Sequence, residues 1–181
     1  MSFDFGAFNN WGTLKTVAVR TPAQAFQSEA KIESEWKDLN FHSRPDLAKA
    51  LKEFEAVERI LAGTGADVIH LPAGDGLTLD SLYSHDALVV TPNGLVKPRM
   101  GKPQRRKEAE VNGGYLESLG YPIAGEIGGE GKLEGGDLVW LDRHTLIAGV
   151  GYRTNVEGVM QLQELAGGDV EVLWFDMPHY K

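Results

Sequence analysis

The sequence predicts an α/β fold assembled from repeated strand–strand–helix–strand units, and three observations predict it. The first is an internal repeat. Asp86 opens the run Asp-Ala-Leu-Val-Val, a turn follows over Thr91, Pro92, Asn93 and Gly94, and Leu95 and Val96 resume the apolar pattern. Asp137 opens Asp-Leu-Val-Trp-Leu in the same register, with its turn at 142–145 and Leu146 and Ile147 beyond it. The second is that both runs pass through a glycine-containing loop into apolar residues at helical spacing, which stop at Gly120 or Gly167. The third is composition: 22 glycines in 181 residues imply many tight turns and hence many short elements.

The elements follow in order. An opening strand covers 16–20, a helix 46–61 stops at Gly63 and Gly65, and a strand covers 68–71. The stretch 27–44 is charged, carries Trp36 and Phe41, and reads as a surface helix or a lid. The second unit supplies a helix over 105–119 and a strand at 122–124. The third supplies a helix over 155–165, in which Val156, Val159, Met160 and Leu162 keep helical spacing, and a strand at 170–175. Residues 1–181 thus read as a single domain of three units, roughly 11–72, 80–127 and 133–176. A unit of this kind buries its faces only against copies of itself, and radial repetition is one arrangement that does so. Three units do not close a ring, and the chain ends at Lys181 just after a strand, so a continuation is expected.

Composition removes several classes of function. The net charge of -8 lacks the basic footprint that nucleic acid or an anionic membrane surface requires, and it mildly favours a cationic ligand. Residues 1–11 show no signal peptide and no stretch has the length of a membrane span, so cytoplasm is the default location. With no cysteine, the chain offers no disulfide, no thiolate metal site and no cysteine nucleophile. Neither a metal nor a cofactor is expected. His42, His70 and His144 read as structural or exposed, and Trp11, Trp36, Trp140 and Trp174 as core, with Trp36 the least secure of them.

Three clusters carry chemistry. The run 80–86 places Asp80, His85 and Asp86 at the mouth of a strand. In Leu133-Glu134-Gly135-Gly136-Asp137 paired glycines separate two carboxylates, permitting unusual backbone angles or close approach. Arg99 and Arg153 occupy similar places in the repeat, each after an apolar strand and a glycine-containing turn. Carboxylates around a shared cavity suit a planar cation, because a guanidinium donates paired hydrogen bonds matching carboxylate oxygens. Arginines at the rim suit an anionic tail. Without further information Asp86 and Asp137 also fit as turn residues starting strands, Glu134 as a solvated loop acid, and most of the basic run from Lys97 to Arg106 as solvated surface.

Four runs, 80–86, 97–108, 133–137 and 153–158, resemble consecutive signatures of the dimethylargininase, arginine deiminase and amidinotransferase superfamily, in the same order. Val19, Arg20, Thr21 and Pro22 resemble the end of that family's first strand. The resemblance implies a pentein-type five-unit α/β propeller, about three units of which lie in this chain. It implies that Asp86 and Glu134 grip the guanidinium of a small cationic substrate. It also implies that Asp80 and His85, with Arg99 and Arg153, lie near the amino-acid end, the arginines pairing with its carboxylate. His85 departs from the Glu or Arg often found there, leaving the substrate open.

The implied activity is hydrolysis of arginine or N-methylated arginine to citrulline plus an amine or ammonia. It proceeds through a covalent cysteine intermediate, with a histidine as general acid and then base. Both groups are expected outside this chain, which alone is expected to be inactive. His179, the nearest histidine candidate, reads as structural. Amidino transfer to an amine is the alternative within the same chemistry, and a non-catalytic guanidino-binding scaffold is the alternative outside it. The implied macromolecular partners are the remainder of the same protein or a second copy.

Overall fold

The computed structural model describes residues 6–178, and these divide into two compact units, one spanning 13–84 and one formed by the N-terminal residues up to Gly12 with His85 onward. The smaller unit is built on two parallel strands, β1 (Thr16–Val19) and β2 (Asp67–His70), paired Val17 to Val68 and Val19 to His70. Between them run α1 (Pro22–Phe26), α2 (Glu29–Glu35) and α3 (Leu47–Gly63). Their starts are written locally. Pro22 opens α1, where its missing N–H is not needed, while the side chains of Ser28 and Asp46 accept from the amides of Lys31 and Lys49. Ala25, Phe26, Ile32, Leu39 and Leu79 form the core, with Trp36, Phe41 and Leu47 packed on it. Within 27–44 the surface helix is α2 alone, anchored by Ile32, and Arg44 closes its outer side onto Glu29 and Glu33. This repeat has two parallel strands and, among the described residues, no antiparallel leading strand.

The larger unit holds two complete repeats. β3 (Val89–Thr91), β4 (Gly94–Lys97) and β5 (Ile123–Glu126) form one sheet, in which β3 and β4 are an antiparallel hairpin and β5 returns parallel to β4 after α4 (Arg106–Ser118). β6 (Leu138–Asp142), β7 (Thr145–Val150) and β8 (Glu171–Asp176) repeat the arrangement, with α5 (Val156–Ala166) as the crossover. The helix and strand runs read from the sequence fall on these elements to within a few residues. In the first hairpin Gly94 sits at φ +131°, and an added Cβ would overlap the Pro122 carbonyl where β5 begins, so no other residue fits. Asn155 sets the start of α5. Its side-chain oxygen accepts from Gly158 N at 2.9 Å and Lys132 N at 2.8 Å, tying the helix to the loop before β6.

Val89, Val96, Leu133, Trp140, Leu146, Val159 and Leu162 lie in one core cluster, so α5 and both sheets share a single hydrophobic interior. Trp140 is buried there, donating Nε1–H to the Val90 carbonyl at 3.2 Å and meeting Phe8 edge to face. Two other tryptophans read as core are not. Trp11 is 77% exposed and Trp174 48%. Trp11 precedes the first strand, and Trp174 lies on a strand covered over only part of its length. Among the described residues no helix is long and apolar enough to cross a membrane.

Candidate functional site

Asp86 and Asp137 occupy equivalent places in the larger unit. Each lies in a short 3-10 turn, Ser84–Ala87 or Gly135–Asp137, that leads into the first strand of its repeat. The two turns touch. A Cβ at Gly135 would overlap the His85 carbonyl oxygen, and one at Gly136 would overlap Asp86 Oδ1. Neither glycine has a positive φ, so of the two reasons for a glycine pair only close approach applies. The absence of two side chains lets Gly135 close on the His85 backbone and Gly136 on the Asp86 carboxylate.

Glu134 is fully buried. Its Oε1 accepts from Gly101 N at 3.1 Å and Lys102 N at 3.3 Å, and its own amide donates to Thr154 Oγ1. Oε2 lies 2.9 Å from Arg153 Nη1, yet no donor is aligned on it, so it is ion-paired without being hydrogen-bonded. Arg153 Nη2 reaches Asp137 Oδ1 at 3.4 Å, and Thr154 Oγ1 donates to Asp137 Oδ2 at 2.7 Å. Arg153 thus lies in the turn ahead of α5, with its guanidinium across Glu134 and Asp137 and its helix capped by Asn155. Arg99 lies elsewhere, donating Nη1–H to the Gly131 carbonyl at 3.3 Å.

The sequence reading missed Arg105 and Glu108. Arg105 belongs to the basic run read as mostly solvated, but it is only 5% exposed. Its Nε and Nη2 make a bidentate pair with the fully buried Glu108, both at 2.8 Å, and Nη1 donates to Asp86 Oδ2 at 2.6 Å. The available signal was Arg105 and Glu108 at i and i+3 at the start of a helix. The rest of the run is more open: Lys97 is half-buried beside Glu126, and Arg106 is exposed.

Of the remaining candidates, His85 is exposed at the start of this unit, next to Asp86. Asp80 is buried in the smaller unit, within a 3-10 turn of residues Leu79–Leu82. The segment carrying it is held from two sides. Arg20, 1% exposed, donates to the carbonyls of Pro72 and Ser81, while Lys31, paired with Glu35, donates to the Leu77 carbonyl and Glu35 accepts from Leu79 N. His179 lies outside the described residues.

Charge shapes both carboxylate sites. Burial tends to discharge the Arg105 guanidinium, but Glu108 and Asp86 outweigh it and hold Arg105 above the usual arginine range. Burial raises Glu134 above the ordinary value of 4.5, against the opposing pull of Arg153 and the Lys102 amide, and the charge of Asp86 adds to the rise. A carboxyl raised on folding stabilises the folded state below its unfolded pKa, and that contribution disappears as pH climbs through the folded value. Glu134→Gln cannot titrate. Its melting temperature is therefore expected to gain on the wild type as pH rises from 4.5 toward neutrality. Parallel thermal melts at pH 4 and pH 7 check this, and a constant difference between the two proteins would refute it.

Comparison with known proteins places this geometry in a family. The arginine deiminase family model matches residues 79–171, which include both carboxylate turns and α4 and α5. The N(G),N(G)-dimethylarginine dimethylaminohydrolase of Pseudomonas aeruginosa is 32% identical over 120 residues, covering 66% of this chain and 46% of that protein. A crystal structure of the P. aeruginosa enzyme as a mutant complexed with citrulline superposes with a TM-score of 0.75 at 23% identity, over 93% of this chain and 63% of that one. An amidinotransferase of the saxitoxin biosynthetic pathway from Microseira wollei gives a TM-score of 0.71 at 16% identity, over 95% and 62%. The chain thus spans about half the length of the curated relative and less than two thirds of the solved structures. Its mixed α/β fold is theirs, and the chain belongs to the arginine deiminase family, within the pentein superfamily of guanidino-group-modifying proteins, as a relative of the bacterial dimethylarginine dimethylaminohydrolases.

Proposed function

We propose that this protein hydrolyses the guanidino group of arginine or an N-methylated arginine to citrulline plus ammonia or an amine, with Asp86 and Glu134 gripping the guanidinium. The observation that carries this reading is Glu134 Oε2, a buried carboxylate oxygen beside an ion-pair partner and without a hydrogen-bond donor. A guanidinium N–H supplies what that oxygen lacks, and bidentate pairing adds direction to charge. Asp86 already holds one guanidinium, that of Arg105, and its Oδ1 faces Gly136, where no side chain intervenes. In this reading Arg99 and Arg153 hold the substrate carboxylate, with Asp80 and His85 near the amino-acid end. Arg153 must then leave Glu134 for that anion.

The grip positions the guanidinium carbon but does not attack it. A cysteine thiolate adds to that carbon and the amine departs with a proton from a histidine. Water, deprotonated by the same histidine, then releases citrulline and the thiol. With no cysteine in 181 residues, the thiolate comes from outside them, and this chain alone turns nothing over. The reading includes a pentein propeller of five units, about three of which are the repeats at 11–72, 80–127 and 133–176. Amidino transfer uses the same grip and differs in handing the amidine to an amine instead of water.

The grip is testable without turnover. Calorimetric titration of the chain with L-arginine and with dimethylarginine is expected to give saturable binding. Asp86→Asn and Glu134→Gln each remove a charge-assisted hydrogen bond, of about 1.5–3 kcal/mol, so each weakens binding by about tenfold or more. Unaltered affinity in both variants rejects the assignment. In a protein that carries the cysteine, citrulline as the product separates hydrolysis from transfer.

A further inference from the structure

Asp86 and Asp137 are each held by residues at the head of their own repeat's helix, and they differ in what remains. Arg105 precedes α4 and takes Asp86 Oδ2, while Oδ1 lies toward Gly136. Arg153 and Thr154 precede α5 and take both oxygens of Asp137. Thr154 Oγ1 donates to Oδ2 at 2.7 Å, and Arg153 Nη2 donates to Oδ1 at 3.4 Å. The Asp137 side chain is almost buried with both oxygens engaged, so it acts on the site through these two partners.

The partners lead in different directions. Thr154 is fully buried and uses its single hydroxyl twice, donating to Asp137 and accepting from Glu134 N at 3.1 Å. Asp137 N in turn donates to the Glu134 carbonyl at 3.0 Å. One aspartate and one threonine therefore fix the Glu134 backbone on both sides of its Cα. That aims the carboxylate so that Oε1 meets the Gly101 and Lys102 amides and Oε2 has no aligned donor. Arg153 divides its guanidinium, with Nη1 at 2.9 Å from Glu134 Oε2 and Nη2 on Asp137 Oδ1. A ligand guanidinium that takes Glu134 Oε2 displaces Nη1 alone. Asp137 keeps Nη2, so Arg153 pivots about that contact and stays at the site.

Resting on the reading that Glu134 grips a guanidinium and Arg153 a ligand carboxylate, we propose that Asp137 is a positioning residue with two separable arms. Its Oδ1 is the pivot of Arg153 and sets discrimination in favour of guanidino ligands that carry a carboxylate. Its Oδ2 acts through Thr154 on Glu134 and sets the grip on any guanidinium. Groups held from behind in this way bind without first having to be ordered.

Calorimetric titration with L-arginine and with agmatine, which is arginine without its carboxylate, separates the arms. The wild-type chain is expected to prefer arginine. Asp137→Asn keeps an oxygen for Thr154 but turns an amide donor toward Arg153, so the preference is expected to fall by about tenfold, the worth of one charge-assisted hydrogen bond. Thr154→Val keeps the shape and loses the hydroxyl, so both ligands are expected to weaken by the same factor, about threefold or more, with the preference unchanged. A ratio of two affinities measured on one sample is insensitive to the fraction folded, so a purely structural role does not move it. In an Arg153→Gln background, Asp137→Asn is expected to change the ratio no further. A wild-type chain that binds both ligands alike, or an Asp137→Asn variant with the wild-type preference, overturns the proposal and leaves the Glu134 grip standing. A ratio that still falls in the Arg153→Gln background overturns Arg153 as the route, and a Thr154→Val variant that weakens arginine alone overturns the second arm. A chain that binds neither ligand rejects the guanidino reading itself, and the proposal with it.

Discussion

Arg105→Met is expected to destabilise the chain by about 3–5 kcal/mol, the cost of removing one partner from a buried ion pair. Methionine fills much of the arginine volume, so the loss comes from charge. Glu108 is fully buried and receives both of its bidentate bonds from Arg105, and Asp86 receives its third. The variant takes away from both carboxylates the guanidinium they share. Urea denaturation followed by circular dichroism measures the loss. Arg105→Met combined with Glu108→Gln removes the orphaned buried charge and is expected to recover part of it, so the double-mutant cycle separates pairing from packing. A single variant within about 1 kcal/mol of wild type, the range of an exposed pair, would show that Arg105 is solvated after all.

The second large effect is expected at the glycine pair, where adjacent positions give different outcomes. Gly135→Ala drives a methyl group into the His85 carbonyl oxygen, and backbone yields poorly, so a loss of about 1–3 kcal/mol is expected from overpacking. Gly136→Ala meets only the Asp86 carboxylate, and a side chain can rotate away. The prediction there is a smaller stability loss with a larger loss of guanidino-ligand affinity, because the rotation moves the carboxylate proposed to grip the ligand. Thermal melts and calorimetric titration of both variants check the split. Equal losses of stability at the two positions would mean that the turns do not approach through the glycines.

Much of the architecture was legible because it is local. The hairpins around Pro92-Asn93 and Arg143-His144, the helices ending at Gly120 and Gly167 and the return strands all follow from apolar spacing and turn residues within a few positions. The matching places of Asp86 and Asp137 follow from the repeat in the same way. Local pattern also misled. The strand opening the first repeat was legible, but whether an antiparallel strand pairs beside it, in addition to the parallel β2, depends on a partner that its own residues do not specify, and the smaller unit has none among the described residues.

Tertiary structure alone decided which polar groups left water. Arg105 and Arg106 are adjacent and identical in type, yet one is buried and the other exposed. The difference is that the start of α4 turns Arg105 toward Glu108 and toward an aspartate 19 positions earlier in the chain. Arg99 and Arg153 look equivalent in sequence, but only Arg153 lies across Glu134 and Asp137. Trp140 and Trp174 both sit in apolar strands, and coverage by a neighbouring element buries only the first. The sequence by itself determined the repeat, the order of its elements and the carboxylates at its turns, since these are set within a few residues. Burial, ion pairing and the empty partner position on Glu134 depend on which distant surfaces meet, and only the folded chain decided them.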